Sequence, residues 1–174
     1  MSDLLTRMLV ENVQPRPGRG GWHGGPTPIG ALRGVSAEQA AWEPAPGRKS
    51  IWQLTLHIAY WKYAVRRRLE GGAADRKARF PRTPANWPAV PAAADEGAWR
   101  ADVALLKTEH ERLVAALAAV PVDRYGEVLP GGKRWTVGEL ILGIAQHDAY
   151  HTGQIQMLKR LWVAMRARGG ASRT

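Results

Sequence analysis

At three predicted helix starts along this chain a serine or threonine is followed, three residues later, by a glutamine or glutamate: Ser36 with Gln39, Ser50 with Gln53, and Thr136 with Glu139. This is the spacing of the capping box, in which the first side chain accepts from the backbone N–H of the third helical residue and the third side chain reaches back. The last two boxes head long stretches whose apolar residues recur every three or four positions. After Ser50 come Leu54, Ile58, Trp61, Val65 and Leu69; after Thr136 come Val137, Leu140, Ile144, Ile155, Leu158 and Trp162. Such a stripe is one face of an α-helix with a core to cover, and no segment shows the alternation of a strand.

Glycine and proline divide the rest. Asp3 to Val13, carrying Leu4, Leu5, Met8 and Leu9, predicts a first helix that breaks in the run 14–28. Thr27 followed by Pro28 restarts it through Leu32 as N-cap and first helical residue, and the Ser36 box predicts one further turn ending before Pro44. The helix opened by Ser50 stops at Gly71 and Gly72. A third long helix runs from about Glu96 to Val120, with Trp99, Val103, Leu106, Leu113 and Leu117 on one face and Pro121 at its end. The fourth is expected to reach roughly Met165, with residues 166–174 disordered. Between 73 and 94, Pro81, Pro84, Pro88 and Pro91 mark a long irregular connection, either functional or wrapped on the bundle with Phe80 and Trp87 tucked in. The expected fold is all-α: a four-helix bundle in one domain, 1–174, with a broken first helix and a long connection between the second and third main helices.

Composition narrows the chemistry. The 174 residues include no cysteine, which excludes a disulfide framework, a zinc ribbon, an iron–sulfur cluster and a thiol nucleophile of the protein's own. A metal here would need nitrogen or oxygen ligands. The net charge of +10 invites an anionic partner, yet 19 of the 25 basic residues are arginine and they scatter along the chain. No nucleic-acid-binding motif accompanies them, so the charge reads as a solvated surface and no nucleic-acid partner is expected. The start MSDLLTRMLV has neither a basic head nor a long apolar run, and no window could span a bilayer, so the expectation is a soluble, cytoplasmic protein without a membrane partner. Trp52, Trp61, Trp99 and Trp162 fall at helical positions suited to the core.

The histidines carry the strongest functional signal. With Leu140 as zero and about 100° per residue, His147 falls at about −20° and His151 at about +20°, the centre of the fourth helix's apolar face. Four residues apart, they stand one turn above each other, the arrangement by which HxxxH grips one metal, with Gln154 next on that face as an orienting partner. In the second long helix, with Leu54 as zero, His57 falls at about −60°, on the flank of the core face, from which a third imidazole can meet the pair across a helix interface. Three imidazoles without a carboxylate would leave coordination open, the catalytic pattern of a zinc-like site. The alternative is that each is a core histidine with its own polar partner. His110, between Leu106 and Leu113, could be a supporting group, a fourth ligand or a polar residue near the bundle's end, and the last is the preferred reading. His23, in the glycine-flanked run 20–25, is placed in a loop. Asp148 and Tyr150 point off the ligand face, so no catalytic residue beyond the metal ligands is expected.

The segment SIWQLTLHIAYW, Ser50 to Trp61, the PAPG run before it, and GIAQHDAYHTGQIQMLKR, Gly143 to Arg160, together resemble the DinB/YfiT-like superfamily of metalloenzymes over nearly the whole chain. The WHGG run, Trp22 to Gly25, is similar to one subgroup. The resemblance implies His57, His147 and His151 as ligands of zinc or nickel, often in a homodimer. It further implies a low-molecular-weight thiol as co-substrate, since similar proteins include thiol S-transferases and a thiol-dependent isomerase. A metal-dependent enzyme activating a thiol or water against an electrophilic co-substrate is therefore the leading expectation. A non-catalytic metal-binding stress-response bundle is the alternative, and a nucleic-acid-binding protein using its basic surface ranks last.

Overall fold

The computed structural model describes residues 2–19, 21, 23–71, 79–129 and 134–171. Four long helices make the body: α1 (Ser2–Val13), α4 (Ile51–Leu69), α5 (Glu96–Ala118) and α6 (Val137–Ala171), with short helices α2 (Pro28–Ala31) and α3 (Ala37–Ala41) between the first two and a 3-10 turn (Val122–Gly126) after α5. No strand occurs among the described residues; a lone antiparallel bridge joins Val128 to Thr136. The all-α bundle expected from the periodicity is the fold observed. No helix among the described residues is long and apolar enough to cross a membrane.

The helix starts follow the local chemistry read from the sequence. Thr27 caps α2 with Pro28 at its first position, Ser36 caps α3, and Ser50 and Gln53 complete a reciprocal box at α4. At α6 the box is likewise closed: Glu139 N–H donates to Thr136 Oγ1 at 3.2 Å, and Thr136 N–H donates to Glu139 Oε2 at 2.7 Å. Gly71, at φ +73°, takes the left-handed turn that ends α4 as expected, whereas Gly72 lies outside the described residues. α5 has a cap the sequence reading did not name, Asp95, which accepts from Ala98 N–H at 2.6 Å. The last helix was expected to stop near Met165, but it continues through Ala171, because Arg166–Arg168 carries neither proline nor cap to break it and exposed arginines propagate helix well. Residues 172–174 lie outside the described residues.

α4 is the central element, packed on α5 and α6, while α1 covers the other side against α5 and α6. Two apolar clusters result. One gathers α2, α3, Ile51–Ala59 of α4, Trp99 and Leu106 of α5, and Ile155 and Leu158 of α6; the other gathers Leu9 and Val13 of α1, Val65 and Leu69, Leu113 and Leu117, and Val137 to Ile144. Between them the same three helices bury polar side chains. Lys62 lies between Ile58 and Val65, His110 between Leu106 and Leu113, and Asp148 and His151 between Ile144 and Ile155. Buried ionisable groups need partners to offset lost hydration, so this layer is where chemistry concentrates.

The connection between α4 and α5 is described from Arg79 and wraps the bundle, one of the two options its composition left open. Phe80 is buried and Trp87 half-buried. Arg82 is pinned to the buried Asp102 carboxylate at 2.7 Å, and that carboxylate also accepts from Trp52 Nε1 at 2.8 Å. Trp52 and Trp99 are core residues as expected, but Trp61 and Trp162 are only half-buried, and Trp61 serves a different purpose described below.

Candidate metal centre

His57 is brought to α6 by the packing of α4 on that helix. Its Nε2 lies 3.1 Å from His147 Nε2, and the His147 and His151 rings stand 4.4 Å apart between centroids. One ligand atom from each of His57, His147 and His151 falls within 4.8 Å of the others, and among the described residues these three form the group able to hold a metal ion. Two imidazole nitrogens bound to one ion at 2.0–2.1 Å in tetrahedral geometry would be about 3.3 Å apart, close to the spacing seen.

The ring nitrogens facing away from this point are arranged to keep the inner ones free. His57 Nδ1–H donates to the Asn86 carbonyl at 2.7 Å, and His151 Nδ1–H donates to Gln154 Oε1 at 2.7 Å. In a neutral imidazole with hydrogen on Nδ1, Nε2 carries the lone pair, which is the ligand form. His147 Nδ1 is buried with no partner among the described residues, so none of them opposes its Nε2 pointing inward. Burial lowers the pKa of all three rings, and His147 is pushed down to about 3, with the other two imidazoles and Lys62 adding to the effect. Neutral, desolvated imidazoles with converging lone pairs are the donor set a borderline divalent cation takes. These residues therefore fit a divalent metal site.

Residues outside the triad finish the centre. Trp87 stacks on the His57 ring at 3.8 Å between centroids and 8° between planes, and Lys49 Nζ lies over the same indole at 4.7 Å from its centroid. Trp61 Nε1 donates to Asn86 Oδ1 at 2.9 Å, so Asn86 holds the histidine through its backbone and the tryptophan through its side chain. Neither role was visible in the sequence. The Gln154 position beside His151 was, because it shares the helical face of the two histidines.

The structure also corrects and extends the reading of the other polar residues. His110 is not near the end of the bundle; it lies in mid-α5, because the two clusters meet there, and its Nε2 is paired with Gln14 of the chain following α1. It is outside the metal-holding group. Burial, with the nearby Lys62 charge, pushes its pKa down to about 4. Asp148 points off the ligand face as expected, yet it is buried, with Oδ2 held by the fully buried Lys62 ammonium. Burial pushes the Asp148 carboxyl up against the opposing pull of Lys62. Tyr150 is exposed. His23 lines a second cavity with Asp148 and Thr152 rather than the triad's, and its Nδ1 accepts from Gly25 N–H at 3.1 Å. Trp22, the first residue of the WHGG run, lies outside the described residues.

A helical bundle that converges three neutral imidazoles from two helices is of the class that builds metal centres from facing core positions. The family comparison agrees: a family model of the DinB superfamily matches residues 29–155, which include all three histidines, and the chain belongs to that superfamily. Comparison with curated proteins and with solved structures finds no match in either.

Proposed function

We propose that this protein is a metal-dependent enzyme in which His57, His147 and His151 hold one divalent cation, zinc or nickel, and that it transfers a low-molecular-weight thiol to an electrophile or hydrolyses such a substrate. The observation that carries this reading is the convergence of three neutral imidazoles whose Nδ1 atoms are engaged or turned away, with an open cavity reaching His147. A divalent cation bound there supplies Lewis-acid activation, lowering the pKa of a thiol or water toward neutrality. The chain's part is to fix the ligands: Asn86 and Gln154 set the tautomers, Trp87 clamps His57, and burial keeps protons off the inner nitrogens at neutral pH. The absence of cysteine assigns the sulfur to the co-substrate. The same reading includes a cytoplasmic location and a homodimer, and the homodimer alone is supported by the outer face of α6, where Tyr150, Met157 and Leu161 are exposed.

Metal content tests the centre. Protein purified without chelator should carry close to one equivalent of zinc or nickel by elemental analysis, and His57→Ala or His147→Ala should lose most of it. Equal metal in wild type and both variants would sink the assignment. Loaded protein is then screened for consumption of thiols in the presence of electrophiles; a loaded centre with no turnover across the panel would favour the non-catalytic bundle instead.

A further inference from the structure

His147 opens onto a cavity of about 720 Å³ between α4 and α6, within the range of small-molecule sites. The two helices run antiparallel along it, so the cavity has two chemically different ends. At one stand His147 and Trp61. The middle is apolar, walled by Val65 and Ile144 and left open by Gly143. At the far end is Arg68. From Trp61 to Arg68 is seven helical positions, about 10 Å along the axis.

Arg68 belongs to the run Arg66–Arg68 in the last turn of α4. Arg66 is tied to Glu70 at 2.8 Å and to Glu109 at 3.3 Å. No hydrogen bond or ion pair holds the half-buried Arg68 guanidinium among the described residues. The carboxylate that shares its end of the cavity, Glu139, is engaged in its own cap, accepting from Thr136 N–H and Thr136 Oγ1 at 2.7 and 2.9 Å. A guanidinium at the end of an apolar trough, with none of its five donors engaged by a described residue, is suited to meet an anionic group.

We propose that this cavity binds the electrophilic co-substrate, and that the co-substrate is an amphipathic anion: an apolar, aromatic-sized body roughly 10 Å long, its carboxylate, sulfonate or phosphate on Arg68 and its reactive end beside His147. The identity of the reacting end rests on the metal-enzyme reading above; the binding itself does not.

Two fluorescent probes with the same body separate the contributions: 8-anilinonaphthalene-1-sulfonate, which is anionic, and neutral N-phenyl-1-naphthylamine. Both are titrated into chelator-treated protein, so that the result is independent of metal loading. Wild type is expected to bind each saturably at one site. Arg68→Ala should weaken the sulfonate by about tenfold or more while leaving the neutral probe within about twofold, as expected for loss of one charge-assisted contact. Gly143→Phe should abolish both, because a Cβ at Gly143 meets nothing within 4 Å and the ring can grow into the trough without strain on the helix. Circular dichroism and melting confirm that the variants are folded; Arg68→Ala, at the helix end, keeps the test decisive if the phenylalanine variant is not. No saturable sulfonate binding by wild type, equal weakening of both probes by Arg68→Ala, or undiminished binding by folded Gly143→Phe would each overturn the proposal. Loss of metal in His57→Ala and loss of sulfonate binding in Arg68→Ala are separate readouts, so either reading can fail alone.

Discussion

A neutral imidazole has one lone pair to give, and which nitrogen carries it is decided by the hydrogen bond on the other. At His151 that decision belongs to Gln154, whose Oε1 takes the Nδ1 hydrogen at 2.7 Å. Gln154→Ala should lower metal affinity by about 10- to 100-fold, the usual cost of losing an outer partner, while Gln154→Glu should restore it. Competition against a chromogenic chelator reads both. His110 makes a different prediction. Its folded pKa is pushed down to about 4 from an ordinary value of 6.5, so between those limits the unfolded chain binds a proton that the folded chain excludes. Its contribution to stability is complete above pH 6.5 and is lost progressively as pH falls toward 4, on the order of 3 kcal/mol in all. Unfolding midpoints in urea should therefore drop less between pH 7.5 and 5 for His110→Gln than for wild type, where the triad histidines act in the same direction. The triad was legible because spacing and apolar phase are both written in residue types. The Asn86 contact was not, since a backbone carbonyl has no residue-type signature and the loop carrying it has no period.

At the scale of elements, α4 and α6 are joined by more than the histidines. Lys62 and Asp148 form a buried ion pair between them, and sequence phase had hidden it. With Leu54 as zero, Lys62 falls at about 80°, where a charged residue ordinarily reads as solvent-facing, and its partner is 86 positions away. Lys62→Met should destabilise the protein by about 3–5 kcal/mol, since Asp148 is left buried and unpaired and its carboxyl is already pushed up by burial. Lys62→Met combined with Asp148→Leu should recover much of that loss. Equal urea midpoints for the single variant and wild type would show that the pair contributes nothing net. Helix starts were more legible than helix ends. A cap is a short-range bargain between a side chain and backbone N–H groups three residues on, as at Ser50 and Thr136, whereas no proline or glycine in Arg166–Arg168 marks an end for α6.

For the whole molecule, the bundle is two apolar clusters with a polar layer between, and that layer is the least self-sufficient part of the core. An ion that binds only the folded layer stabilises by mass action. At roughly a thousandfold excess over its dissociation constant, zinc should raise the melting temperature of wild type by on the order of 10 °C and leave His57→Ala unmoved, as scanning calorimetry would record. The charge of +10 plays no part in this and is distributed among exposed arginines and local ion pairs such as Arg16 with Glu11 and Arg124 with Glu127. Clusters of this kind could be anticipated from periodicity, but the layer between them could not. It is assembled from positions on three helices that meet only after the chain has folded.

The connection from Arg79 onward has a further meaning. It is fastened at Arg82 to Asp102 and at Asn86 to both His57 and Trp61, with Trp87 laid flat on the ligand ring. Whatever steadies His57 Nε2 must also steady this strap, and by reciprocity whatever lifts the strap must loosen His57. The exposed stretch from Pro81 to Asn86 would then act as an occupancy gauge. A protease offered the folded protein should clip it readily when the centre is stripped and slowly when it is filled, and a single cut there should release the ion without unfolding the bundle.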